Sequence, residues 1–244
     1  MDINEFGYLL QEYTLDNDNY KNWRNTHEKA FGKIFTSAFE ESPEAQIHLT
    51  AALIRISHRD FNGGLEKLLM LEQFSSNDAD SFALSYFTGF CYECLENEKE
   101  MNKYYENMAE YNADYKFLIG LHPYYRTAKF AQRKSENEKA LIYYGKALAL
   151  YSENESDTVK TENMAQICYD MGTVYLSCQQ YEKSREFLEK SYKFNPAENP
   201  QRNYVMAILC AIEGKQEEAE KIANSLPDYL KSNCERIIAS IRKI

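Results

Sequence analysis

Residues Met171–Pro196 read MGTVYLSCQQYEKSREFLEKSYKFNP. With Cys168 just upstream, Met171, Gly172 and Tyr175 fall at i, i+3, i+4 and i+7, the stripe of an amphipathic helix. A break around Cys178–Gln180 follows. Tyr181, Ser184, Leu188 and Ser191 then form a second stripe, which Pro196 ends because proline cannot continue a helical hydrogen-bond ladder. A glycine inside the first stripe weakens a lone helix. It helps a pair of helices, because Gly172 has no side chain to hold the second helix away.

The same arrangement recurs along the chain. Taking windows of about 34 residues, the one from Ala165 contains the stretch above. The window from Phe82 places Thr88, Gly89 and Tyr92 in its first helix and Met101, Tyr105 and Met108 in its second. The window from Leu121 has Tyr124, Ala128 and Ala131, then Ala140, Tyr144 and Ala147. That from Ala45 has Ala51, Ala52 and Arg55, then Phe61, Gly64, Leu68 and Leu71. That from Pro200 has Asn203, Ala207 and Cys210, then Gly214, Ala219 and Ala223. Short insertions separate the windows. The longest, around Ser156–Asn163, is expected to lengthen the following helix at its N-terminus, with Asp157 as its cap.

This pattern resembles the tetratricopeptide repeat, whose consensus runs aromatic, Leu-Gly, Tyr, then Ala, Phe and Pro. In the Ala165 window Cys168 stands for the Trp, Met171 for the Leu, Ser184 for the Ala and Leu188 for the Phe. The resemblance implies an all-α, right-handed α-solenoid of helix hairpins with N- and C-terminal capping helices. The divisions are 1–44 for an N-terminal helical cap, 45–226 for the repeats and 227–244 for a C-terminal capping helix. A stack of repeats needs such caps, or its last apolar surfaces stay in water. Trp23, His27, Ala30, Phe31, Ile34, Phe35, Ala38 and Phe39 form one stripe on a helix expected over Asn19–Glu40, after a shorter helix near Ile3–Tyr13. Tyr229, Leu230, Cys234, Ile237, Ile238 and Ile241 form the last stripe, after Pro227.

Composition narrows the function classes. Lys and Arg number 28 against 38 Asp and Glu, a net charge of −10 that disfavours nucleic acid or an anionic membrane as partner. No apolar run is long enough to span a membrane, and the MDINEFGYLL start lacks the order of a secretory signal. Six scattered cysteines suit reduced, mostly buried thiols in a cytoplasmic protein. Cys91-Tyr92-Glu93-Cys94 is a single CxxC without a second pair or a nearby His, so no zinc site is read from it. Asp16-Asn17-Asp18-Asn19 begins like a calcium loop, but Tyr20, Lys21 and His27 stand where oxygen ligands, a glycine and a closing Glu belong. With no nucleotide loop, nucleophile elbow or His pair, the chain reads as no enzyme, with no cofactor and no metal.

The face opposite the packing stripe carries the functional expectation. The second, fifth, ninth and twelfth places of each window share one side of the first helix, at about 100° per residue. In tetratricopeptide repeats that side lines a concave groove for extended peptides or partner helices. The fifth places hold Leu49, Tyr86, Tyr125, Tyr169 and Tyr204; beside them lie Leu53, Ile56, Phe90, Lys129, Arg133, Thr173, Leu176 and Ile208. Tyrosine suits recognition, having a large apolar ring and a hydroxyl for polar groups, though the rings could equally fill space between neighbouring helices. Lys129 and Arg133, at i and i+4, could together hold a carboxylate or phosphate, or be neutralised by Glu93 or Glu136. The Lys-Asn-Asn-Lys-Arg set of the chaperone-tail-binding members is missing.

The expected function is a noncatalytic protein–protein interaction module, binding a peptide segment or partner helix in a Tyr-lined groove. The alternative is a peptide-sensing bacterial regulatory protein of the same repeat type, without a DNA-binding domain. The terminal helices are candidates for a homodimer contact.

Overall fold

The computed structural model describes residues 38–111, 123–152 and 158–242. Among these residues there are eleven α-helices, one short 3-10 helix and no strand. They are α1 (Pro43–Ser57), α2 (Phe61–Leu69), α3 (Asp78–Cys94), α4 (Glu98–Glu110), α5 (Pro123–Arg133), α6 (Asn137–Ser152), α7 (Thr158–Ser177), α8 (Tyr181–Phe194), α9 (Pro200–Ile212), α10 (Gln216–Asn224) and α11 (Asp228–Ile241). Consecutive helices pair within the windows from Ala45, Phe82, Ala165 and Pro200. The chain forms two compact units, Met1–Phe130 and Ala131–Ile244, with α5 beginning in the first and ending in the second.

In the first unit α1 packs on α2, α2 on α3 and α3 on α4. In the second, α6 packs on α7, α7 on α8, α8 on α9 and α9 on α10. The eighth place of the five windows holds Ala52, Gly89, Ala128, Gly172 and Ala207, and all five are buried. The twenty-fourth place, on the second helices, holds Leu68, Tyr105, Tyr144, Leu188 and Ala223, all buried. A Cβ added at Gly89 would lie 2.6 Å from the Tyr105 ring, and one at Gly172 2.9 Å from Leu188 Cγ. The close approach read from Gly172 is therefore present twice. Ser184 is buried beside it, and its hydroxyl donates to the Gly172 carbonyl oxygen at 2.9 Å, which satisfies the polar group a Ser at this Ala place brings in.

The turn between the two helices is the same in all five hairpins. Its fifteenth-place residue is left-handed each time: Arg59 at φ 63°, Glu96 at 57°, Ser135 at 61°, Gln179 at 59° and Gly214 at 77°. The next residue's N–H bonds back five positions, for example Gln180 N to Tyr175 O at 2.9 Å and Lys215 N to Cys210 O at 2.8 Å. This Schellman geometry satisfies carbonyls that the helix end leaves open. Side chains also mark the helix starts. Ser42 precedes Pro43 and Asn199 precedes Pro200, each capping through its side-chain oxygen while the proline occupies the first turn.

The expected lengthening after the longest insertion is present, since α7 runs for 20 residues and starts at Thr158. Its proposed cap, Asp157, lies outside the described residues. So do the Ile3–Tyr13 helix, the Asp16–Asn19 stretch and most of the Asn19–Glu40 helix. The end of that helix is corrected: Ala38–Glu41 form a turn, with Phe39 at φ 57°. Phe39 N–H donates to Asp80 Oδ1 at 2.6 Å, so the turn is fixed to the start of α3. At the other end α11 packs on α9 and α10, with Cys234 and Ile238 buried. Tyr229, placed in the α11 stripe by periodicity, is instead 70% exposed. It sits in the first turn, beyond the surface that α9 and α10 offer.

Two substitutions separate backbone strain from side-chain space, because an added Cβ meets nothing within 4 Å at either Gly145 or Gly214. Gly145→Ala, inside α6, should stabilise by about 0.5–1 kcal/mol. Gly214→Ala should destabilise by about 1–2 kcal/mol, the cost of forcing a side chain into the left-handed region. Urea unfolding of both variants measures this, and equal shifts of the same sign would refute the turn geometry. Gly172→Leu should cost about 1–3 kcal/mol by overpacking. Gly172→Ala is also unfavourable here, although alanine occupies the same place in three other windows.

Candidate functional site

The expected groove residues divide into core and surface. Leu49, Leu53 and Tyr86 are 4%, 1% and 1% exposed, and Ile56 is equally buried. These four cannot meet a ligand as placed, which corrects the groove assignment in the first unit. The reason is packing. α1 buries residues all round, and Phe39 from the preceding turn joins Leu49, Leu53, Ile56 and Tyr86 in one apolar cluster. Tyr86 serves as the space-filling ring that the groove reading had as its competitor, edge-on to Phe87 with centroids 5.2 Å apart.

A residue that periodicity had passed over explains the burial of Tyr86. Arg126, on α5, reaches back onto α3 and α4. Its Nη1 donates to Tyr86 Oη at 3.1 Å, and its Nη2 to Glu93 Oε2 at 2.8 Å. Its Nε donates to Tyr105 Oη at 2.8 Å, and Tyr105 Oη donates in turn to Glu93 Oε2 at 2.6 Å. The guanidinium also lies over the Tyr86, Phe90 and Tyr105 rings, 5.3, 5.3 and 5.6 Å from their centroids. Burial opposes the arginine charge, but Tyr105, Tyr86 and Glu93 outweigh it and hold its pKa well above the ordinary value. Burial is also the main force that pushes the Tyr86 phenol up to about 12. Glu93, one of the two carboxylates considered as partners for Lys129 and Arg133, is bound by Arg126. The only advance signal was chemical: a Glu in a first helix whose neighbours supply two tyrosines and an arginine.

The remaining groove residues keep part of their surface. Phe90, Tyr125 and Lys129 are half-buried and Arg133 is exposed. In the second unit Tyr169, Thr173 and Leu176 on α7, and Tyr204 and Ile208 on α9, are all half-buried. The apolar members rest on that unit's core: Tyr169, Leu176, Tyr204 and Ile208 border the cluster built on Leu188, Val205, Leu209 and Cys210. Burial raises the Tyr169 phenol above its ordinary pKa, with Asp170 adding to the shift. Tyr204 Oη accepts from Asn233 Nδ2 at 2.7 Å, which connects this face to α11. Thr173 Oγ1 donates to the Asp170 carbonyl oxygen at 2.7 Å and accepts from Gln132 Nε2 at 3.2 Å. Gln132 Oε1 in turn accepts from Tyr144 Oη at 2.6 Å, so α5, α6 and α7 share one polar chain.

The cysteines offer little chemistry. Cys91 is buried, and burial pushes its thiol up to about 12, far from a reactive thiolate, while Cys94 is exposed at the end of α3. Among the described residues no group of three His, Cys, Asp or Glu side chains is placed to hold a metal ion. Among the same residues no helix is long and apolar enough to cross a membrane.

The Arg126 network predicts a large stability effect. Arg126→Ala leaves Glu93 and two phenols buried without their partner, which should cost about 3–5 kcal/mol. Chemical denaturation of the variant checks this. A loss below about 1 kcal/mol, the scale of a surface ion pair, would mean that the network is open to water.

No family model matches the chain, and no curated protein does. Among solved structures, the chain is similar to NprR, in a crystal structure with its cognate peptide NprX. The likeness covers 92% of this chain and 67% of that one, at 19% sequence identity and a TM-score of 0.46. A likeness of that size is too slight to assign a function.

Proposed function

We propose that this protein is a noncatalytic interaction module of the tetratricopeptide type, whose hairpins stack as a right-handed solenoid. In this reading it binds a peptide segment in extended form, along the first-helix face of the second unit. One observation carries it. Tyr169 and Tyr204 occupy the same place in their repeats, both half-buried, while Tyr86, at that place in the first unit, is sealed in the core. Each of the two borders the core cluster and keeps part of its surface accessible. Thr173 and Ile208, one turn further on, extend the face with a hydroxyl and an aliphatic surface. Rings held in place by packing lose little entropy on binding, which is why tyrosine works well as an anchor.

Phe90, Tyr125, Lys129 and Arg133 remain proposed ligand contacts, each within its own unit, with the two cations on α5 as candidates for an acidic group. A homodimer through the terminal helices remains part of the proposal, with Tyr229 on α11 as its exposed ring. Cytoplasmic placement rests on the thiol chemistry, and the absence of a nucleic-acid or membrane partner on the charge of −10.

Selection of a displayed random-peptide library on the full chain tests the reading. Enriched peptides should lose about 2 kcal/mol or more of binding when Tyr169 or Tyr204 becomes Ala, with thermal melts little changed. If both variants instead lose about 3–5 kcal/mol of folding stability, the scale of a core aromatic, the rings are structural spacers and the groove lies elsewhere. Peptides that bind both variants as well as wild type contradict the proposal equally.

A further inference from the structure

One side of α6 is packed and the other is not. Ala140, Tyr144, Ala147 and Tyr151, at i, i+4, i+7 and i+11, are all fully buried, and the helix packs on α7. At about 100° per residue, the opposite side is centred on Ile142, with Ala149 two turns on. Ile142 is 56% exposed, more than any other aliphatic side chain among the described residues, and Leu150 at the edge of this side is 39% exposed. Ala149 is exposed too, and a Cβ added at Gly145 would meet nothing within 4 Å. A single exposed isoleucine is ordinary on a protein surface. A continuous apolar side on one helix points to a contact.

The charges around Ile142 select what covers it. Glu138 and Lys146, both exposed, lie four residues before and four residues after it on the same side. Two copies of α6 that cross antiparallel, with a two-fold axis at Ile142, bring each Glu138 to the Lys146 of the other copy while Ile142 meets Ile142. Parallel copies would set Glu138 against Glu138 and Lys146 against Lys146, which is repulsive. The pattern is therefore complementary to itself in one direction only. A shallow depression of about 410 Å³, lined by Glu136, Asn137, Glu138, Lys139 and Ile142, lies at the N-terminal end of this side. Lys139 is paired there with Glu136 at 3.5 Å, so Glu138 is the carboxylate that a lysine of a second copy would meet. The antiparallel crossing also sets Gly145 beside Lys139 of the other copy, where a missing side chain lets the backbones come close.

We propose that this side of α6 is a self-association surface whose occupant is α6 of a second copy of the chain, antiparallel to the first. It is separate from the peptide face, which lies on first helices, and from the terminal-helix contact. One helix pair covers less than the roughly 800 Å² per partner of a stable interface. The dimer is accordingly weak and forms at high protein concentration.

Sedimentation equilibrium of the full chain, from micromolar to millimolar concentration, tests this, with circular dichroism checking that each variant is folded. Wild type should associate reversibly. Glu138→Lys and Lys146→Glu should each weaken association about tenfold or more, and the double variant should restore it, because the reversed charges pair again. Under mild oxidation Ile142→Cys should form an intermolecular disulfide, since that residue meets its own copy at the axis, whereas Leu150→Cys and wild type should not. A wild type that stays monomeric throughout overturns the proposal. So does association that Ile142→Glu and both charge reversals leave unchanged, which would assign it to another contact, and so does a double variant no better than the single ones. None of these outcomes bears on the peptide groove.

Discussion

Two hairpins depend on a glycine facing a larger side chain across the helix pair. Gly89 admits Tyr105 and Gly172 admits Leu188, with no room for a methyl group in either case. Where the eighth place holds Ala, the hairpins still bury both partners. This close approach sets the spacing of the two helices and therefore what the turn between them must do. The chain reverses in three residues, and the left-handed fifteenth residue is the means. Packing supplies enough free energy to hold Arg59, Glu96, Ser135 and Gln179 in a conformation that glycine would adopt without strain.

Once the backbones are that close, polar groups at the interfaces lose water and need internal partners. Arginines carry much of that burden. Arg126 joins α5 to Glu93, Tyr86 and Tyr105 in the first unit. In the second, Arg185 on α8 forks onto Glu213 at the end of α9, at 2.9 and 2.6 Å, and Arg202 covers the end of α8. A planar guanidinium with several fixed donors can satisfy carbonyls, carboxylates and phenols at once while stacking on a ring. Lysine has neither the plane nor the fork. The same chemistry decides which tyrosines are structural: those an arginine reaches inside the core, as at Tyr86, are withdrawn from any ligand.

The repeat was legible because its signal is periodic and local. Gly172, Leu188 and Pro196 sit in one short stretch, and the places of Gly172 and Leu188 recur with small or buried residues in four other windows. The turns were less legible, since four of the five left-handed residues are not glycine and only Gly214 marks itself. The assigned face keeps partly accessible side chains in the second unit, while in the first unit four of its members are buried. A helical wheel states which way Tyr86 points, not what lies over it. Arg126 is 40 residues from Tyr86 and 33 from Glu93, and no periodicity connects positions that far apart. Leu49 and Leu53 were misplaced for a related reason, because Phe39 comes from a turn where the pattern had continued a helix.

The account's central claim is that one register sorts the tyrosines into sealed and open classes. Hydroxyl-radical footprinting of the full chain in solution, read residue by residue, measures this most directly, with the exposed Tyr229 as internal reference. Tyr86, Tyr105 and Tyr144 should be strongly protected, while Tyr169 and Tyr204 label at rates between theirs and that of Tyr229. Labelling of Tyr86 as fast as Tyr229, or protection of Tyr169 and Tyr204 equal to that of Tyr144, would contradict it.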